Sequence, residues 1–147
     1  FGVPTYPIII EKLIGVWNAN RLLAKPYPDT IETLKALKEK KIKIALISNA
    51  PQNNVEQVLE RFNLGELFDG IFISSKEGKL KTNGLFENAL KKLKVKKGDV
   101  IAVGDSIETD IQGAEAAGIT AYLIDRKGKR EFAKKITGLG EIIKLVE

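Results

Sequence analysis

Five positions separate Asp105 from Asp110 in a stretch where the apolar run Val100–Val103 stops abruptly at Gly104-Asp105-Ser106 and a helical pattern begins. With Asp105 at the carboxyl tip of a strand and Asp110 in the first turn of a helix closed by Gly118, both carboxylates can face one crevice. Two hard oxygen ligands beside a helix amino terminus suit Mg²⁺ together with an anionic substrate. Two earlier strand ends carry complementary chemistry. Ser48-Asn49-Ala50 follow the apolar residues Ile44–Ile47, and Lys76, Lys79 and Lys81 follow a second apolar run, Ile71–Ser74. In a parallel sheet these tips share one edge, so a hydroxyl, a backbone amide, an ammonium and two carboxylates with a metal would converge. That set makes a phosphate site: Ser48 bonding a phosphoryl oxygen, a lysine offsetting its charge, Asp105 meeting it through the metal. Taken singly, the same residues have plainer readings. The two acids could be a helix cap and a solvent-facing group, Ser48 a turn residue, Lys76 and Lys79 surface charges, and Glu108 an acid favourable to the helix dipole.

The elements needed to position these groups follow from periodicity. Pro7 to Leu23 has helical spacing, with Ile9, Leu13, Val16 and Trp17 on one face. Lys25-Pro26-Tyr27-Pro28 cannot continue it. Asp29 is placed to cap a helix over 30–40, with Glu32 completing a capping box. Strands are expected at 43–48, 71–74, 100–103 and 119–124. Helices are expected at 52–62, 84–94, 108–117 and 141–146, with the polar stretch 75–83 and the basic stretch 126–135 as loops, the latter mobile. Alternating strands and helices, several strands apolar on both faces, predict an α/β fold: a Rossmann-like, three-layer parallel sheet.

Composition excludes more than it asserts. The chain has 147 residues, enough for one domain with a real core, and 44% hydrophobic with 29% charged residues describes a soluble globular protein. It contains no Cys and no His, which removes thiol nucleophiles, Ser-His-Asp triads, Cys/His zinc sites and histidine bases. Carboxylates, lysines, hydroxyls and backbone amides must run any chemistry. Zero Cys favours the cytoplasm, and no run is long enough to cross a membrane. The absence of Met, even at position 1, reads as a fragment, and Lys- and Glu-rich composition resembles that of hyperthermophile proteins. The net charge of +5 is mostly lysine, concentrated in Lys91–Lys97 and Arg126–Lys135. Without interleaved aromatic residues these stretches read as solvated faces rather than as a nucleic-acid surface.

The residues Ile47-Ser48-Asn49-Ala50, Gly78-Lys79-Leu80-Lys81 and Gly104-Asp105-Ser106-Ile107-Glu108-Thr109-Asp110 resemble, in order and spacing, the second, third and fourth motifs of the haloacid dehalogenase (HAD) superfamily. Lys25-Pro26-Tyr27-Pro28-Asp29 is similar to the return from a helical cap into the core in its phosphoglycolate-phosphatase-like branch. The resemblance implies that 1–25 is the end of a helical cap and 26–147 the α/β core. It implies phosphoryl transfer to water through an aspartyl-phosphate, with Mg²⁺ as cofactor and a small phosphorylated metabolite as substrate. By motif, Ser48, Asn49, Ala50 and Lys81 would hold the phosphate, with Lys79 the alternative lysine; Asp105 would bind Mg²⁺, and Asp110 would support it. Two departures stand out. Thr82 replaces the usual proline after the lysine. The family's first motif, an Asp-x-Asp that supplies the nucleophile at the tip of a central strand, is matched nowhere.

The expectation is therefore a core without its first, central strand, with that segment supplied by a separate fragment or a neighbouring copy, and a chain inactive by itself. The rival readings are a 2-haloacid dehalogenase, which would not need the paired acids, a non-catalytic HAD-like binding domain, and a basic nucleic-acid binder.

Overall fold

The computed structural model describes residues 25–147; the helix expected at 7–24 and the face carrying Trp17 lie outside the described residues. In chain order the regular elements are α1 (Thr30–Glu39), β1 (Ala45–Ser48), α2 (Gln52–Arg61), β2 (Gly70–Ile73), α3 (Ser74–Glu77), α4 (Leu85–Leu93), β3 (Ile101–Gly104), α5 (Gln112–Ala116), β4 (Thr120–Ile124), β5 (Lys135–Ile136) and α6 (Ile142–Leu145). The expected helices and strands are present, most within two residues of the expected bounds, and two additions appear. Ser74–Glu77 forms one helical turn that ends at left-handed Gly78 instead of a plain loop. Lys135–Ile136 pairs with Leu123 and Ile124, adding a fifth strand where a mobile loop was expected.

Every strand pair is parallel. Alternation along β3 and β4 sends side chains to two helical layers. Ala102, Ala121 and Leu123 pack with Phe86 of α4 and Ala114 of α5. Ile101, Val103, Tyr122 and Ile124 pack on the other face with Leu37 of α1 and Ile142 of α6. This is the three-layer arrangement that strands apolar on both faces require.

Among the described residues the strands form two sheets, β1-β2 and β3-β4-β5, rather than one. A cavity of about 500 Å³ runs between β1 and β3, walled by Leu46 and Ile47 on one side and by Ala102 and Val103 on the other. Burial shows the consequence. None of the residues of β1 or β3 is fully buried, although both strands are apolar, whereas β4 buries Ala121 and Leu123 completely. Among the described residues, two strand edges thus face one another across an apolar slot.

Asp29 departs from the expected cap. It occupies the N-cap position of α1 but makes no side-chain cap bond. Its carboxylate reaches across the fold instead, accepting the Leu139 N–H at 2.7 Å and lying 2.9 Å from the Arg126 guanidinium, which stacks 3.8 Å from the Tyr27 ring centre. Burial pushes the Asp29 pKa up, but the Leu139 amide and Arg126 outweigh it and leave the group below the ordinary carboxylate range. The Thr137 and Gly138 amides lower Glu141 in the same way. Carboxylates lowered in the folded state contribute stability that is complete above their unfolded pKa and lost as pH falls through the folded one. The melting temperature should therefore be flat near neutrality and fall below about pH 4, and Asp29→Asn should flatten that acid limb. Calorimetry across pH checks both.

Candidate active site

Asp105 follows directly on the last residue of β3, and the chain then turns through a π-helical turn, Ile107–Ile111, into α5. Ser106 caps that turn, its hydroxyl accepting the Thr109 N–H at 3.2 Å. Its carbonyl accepts from both Asp110 and Ile111, at 3.0 and 3.1 Å, which draws Asp110 back over the strand tip. Just past helix α5 and its C-cap Ala117 stands Gly118, whose φ of +77° is the left-handed conformation that glycine supplies most readily. The close approach of Asp110 explains Gly104: a β-carbon there would stand 2.2 Å from Asp110 Cβ, so no larger residue fits without moving the acid.

The two acids have different surroundings. Asp110 is buried, with Oδ1 2.5 Å from Lys81 Nζ and Oδ2 accepting the Ser106 N–H at 3.1 Å. Asp105 is exposed; its carbonyl accepts from Arg130 Nη1 at 2.7 Å, while its carboxylate has no partner among the described residues. Lys81 is the lysine brought to the acids. Lys79 lies elsewhere, its side chain over Gly84. Lys81 is fixed from two sides: its N–H donates to Asn49 Oδ1 at 3.1 Å, and its carbonyl sits against Gly113, where a β-carbon would approach to 2.5 Å. Asn49 is thus the direct link between the tip of β1 and the lysine loop. Ser48 turns inward on its own loop, its hydroxyl accepting the Ala50 N–H at 3.0 Å, and both residues border a separate apolar groove of about 380 Å³.

A second cavity, about 640 Å³ and open, lies over the tips of β3 and β4, with Asp105, Asp110, Lys81 and Arg130 in its wall. Lys81, Asp110 and Val103 also line the slot between β1 and β3, so they stand where the slot opens into this mouth. Sequence reasoning missed Asp125 and Arg130. Asp125 ends just past β4 and is buried; its carboxylate accepts the Arg130 N–H at 2.6 Å and lies 3.9 Å from Lys135 Nζ. The Arg130 amide, against burial, holds its pKa below the ordinary range, helped by the charges of Lys135 and Arg130. The available signal was position: this is a fourth strand tip on the same edge as the other three.

Among the described residues no three acidic, His or Cys groups converge on one point. The donors present still fit Mg²⁺, which keeps several waters and takes one or two carboxylates plus phosphate oxygens rather than an all-protein cage. Asp105, exposed and unbonded, is free to be such a ligand; both Asp110 oxygens already have partners. No described helix is long and apolar enough to cross a membrane.

Residues 10–118 match the model of the haloacid dehalogenase-like hydrolase family. The chain is 30% identical over its whole length to a glyceraldehyde 3-phosphate phosphatase of Methanothermobacter thermautotrophicus, covering 69% of that protein. It is 35% identical over 86% of its length to the corresponding enzyme of Methanopyrus kandleri, covering 54% of it. The crystal structure of a HAD phosphatase from Thermococcus onnurineus superposes with a TM-score of 0.77 at 28% identity, over 83% of this chain and 58% of that one. The chain thus spans little more than half the length of the last two.

Proposed function

The chain belongs to the haloacid dehalogenase-like hydrolase family, and from that premise we propose that its site hydrolyses small phosphomonoesters with Mg²⁺, using a carboxylate nucleophile carried on a strand seated between β1 and β3. The observation that carries this reading is the placement of Lys81 and Asp110 at the junction of slot and mouth. A strand lying in the slot parallel to its neighbours would satisfy both unpaired edges and end beside them. A carboxylate at its tip would then meet a phosphoryl group in the mouth.

The residues of this chain divide the remaining work. Lys81, held by Asp110 and Asn49, presents one ammonium to the phosphoryl oxygens and offsets their charge as the bond to the leaving oxygen lengthens. Asp110 fixes that ammonium and leaves it little freedom to wander. Ser48, whose hydroxyl is turned onto the Ala50 N–H beside a separate groove, would have to rotate out of that bond to reach the phosphate, whereas Asn49 already ties the tip of β1 to the Lys81 loop. Asp105 and water would hold Mg²⁺, which supplies charge neutralisation between phosphoryl oxygens and carboxylates. Glyceraldehyde 3-phosphate, the substrate named for two relatives, is a phosphomonoester of the size this mouth admits. The lone Asp105 carboxylate beside a lysine that is already paired favours this chemistry over dehalogenation, which does not need a metal-binding acid.

The test is phosphate release by the intact protein from glyceraldehyde 3-phosphate and p-nitrophenyl phosphate. Turnover should require Mg²⁺ and vanish with EDTA, and the pure 147-residue chain should be inert. Metal-independent turnover, or turnover by that chain alone, would count against this reading.

A further inference from the structure

We infer that Arg130 is a positioning residue for the acid proposed to hold Mg²⁺: its guanidinium ties the ends of β3 and β4 together and so fixes the backbone from which the Asp105 carboxylate reaches the mouth. The inference rests on the reading of Asp105 as the Mg²⁺ ligand and adds to it the group that holds that ligand in place.

Asp105 stands where the support of the sheet runs out. The ladder between β3 and β4 has its last pair at Gly104 and Leu123. One step further, the carbonyls of Asp105 and Ile124 are met by a side chain instead: Arg130 Nη1 donates to the first at 2.7 Å and Nη2, at a longer 3.4 Å, to the second. A guanidinium is planar and forked, so two carbonyls spanned by its terminal nitrogens are held at a set separation, which a single ammonium cannot do. The two acids of this edge are thus fixed in different ways. Asp110 is held at its carboxylate, by Lys81 and the Ser106 N–H. The Asp105 carboxylate has no partner among the described residues, so only its backbone decides where it points.

The arginine is itself anchored. One buried carboxylate, that of Asp125, meets it twice: Oδ2 accepts the Arg130 N–H at 2.6 Å, and Oδ1 lies 3.9 Å from Nε. The Asp125 carbonyl accepts the Gly128 N–H at 2.9 Å, and Gly128, with a φ of +63°, turns the chain back toward the strand tips. Lys135 Nζ donates to the Arg130 carbonyl at 2.5 Å and ties the far end of the turn to β5. A carboxylate is costly to bury unless its bonds are made, and those of Asp125 are spent on the turn that carries Arg130. A solvated arginine in a basic run needs none of this. An arginine that must hold its guanidinium over two strand ends does.

Calorimetric titration of Mg²⁺ into the intact protein, beside steady-state kinetics with p-nitrophenyl phosphate, tests the assignment. Arg130→Gln should raise the Mg²⁺ Kd about tenfold, the lower end of what groups behind a metal ligand contribute, and leave KM at saturating Mg²⁺ unchanged. The sign of the change separates position from charge. Taking a positive charge out of the wall of a cation site would by Coulomb attraction alone tighten Mg²⁺ binding. Lys129→Gln, which removes a neighbouring charge from the same wall and touches neither carbonyl, should therefore not weaken it. Arg130→Lys keeps the charge but cannot span both carbonyls, and its Kd should fall between those of the native protein and Arg130→Gln. Unchanged or tighter Mg²⁺ binding in Arg130→Gln, where Asp105→Asn abolishes binding, overturns the proposal and leaves the phosphatase reading standing. A rise in KM with the Mg²⁺ Kd unchanged overturns it too, and makes Arg130 a substrate contact. Mg²⁺ binding that survives Asp105→Asn removes the ligand itself, and the metal reading falls together with the proposal.

Discussion

Asp105→Asn should reduce phosphate release by the intact protein about a thousandfold or more, without loss of stability. The expectation comes from the contrast between its two halves. The side chain is the free, exposed carboxylate at the tip of β3, so it is available to a metal and to substrate charge. Losing a group that stabilises developing charge in a phosphoryl transfer costs on the order of three decades. The same freedom means that no hydrogen bond of the folded chain depends on the carboxylate, and exposed substitutions of this kind usually stay within about 0.5 kcal/mol. Parallel kinetics and urea unfolding of the variant check both halves. Full activity would remove Asp105 from the site, and marked destabilisation would make it a structural acid.

Asp110→Asn should give the opposite signature. The acid is 11% exposed at its side chain and its partner Lys81 17%, so the pair is largely withdrawn from water. Removing one partner of such a pair leaves the other charge uncompensated. The fully buried case costs about 3–5 kcal/mol, and the residual exposure here brings the expectation to about 2–4 kcal/mol. The amide keeps the volume over Gly104 and can still accept from Ser106, which confines the loss to the charge. Activity should fall at least a hundredfold, because Lys81 no longer has a fixed position. Lys81→Met should cost much less in the Asp110→Asn background than in the native one, and a double-mutant cycle in urea reads that coupling directly. Additive effects would mean that the pair is incidental.

Much of the fold is legible in the residues themselves, and the exceptions have physical causes. Periodicity marked α1, α2 and α4 because Leu34, Leu37, Val55 and Phe86 repeat on one face and are buried there. The parallel pairing of β1 with β2 and of β3 with β4 was legible because these strands are apolar on both faces. β5 escaped because it is two residues long and its partnership with β4 is not a local property. Asp29 escaped for a related reason. Capping rules describe bonds within one turn, whereas its carboxylate bonds an amide 110 positions away. Lys81 was favoured over Lys79 by its place three residues after Gly78, and it is the lysine that meets Asp110, while Lys79 lies over Gly84. Ser48 and Asn49 illustrate a finer limit. Their place at the tip of β1 was readable, but the side chain that touches the Lys81 segment is that of Asn49. Arg130 was hidden in a basic run whose composition looks the same whether or not one member is bonded to the loop that carries Asp105.

In the proposed function Lys81, Asp105 and Asp110 handle charge while the phosphoryl group is carried by a carboxylate that is none of the described acids at the strand tips. Acid-quenching the intact protein during turnover of a ³²P-labelled phosphomonoester, then mapping the labelled peptide, tests it most directly. A hydroxylamine-sensitive label formed only with Mg²⁺, on a carboxylate that is none of Asp105, Asp110 and Asp125, is the predicted result. Label on one of those three acids or on Ser48, or steady turnover with no covalent phosphate trapped, would contradict it.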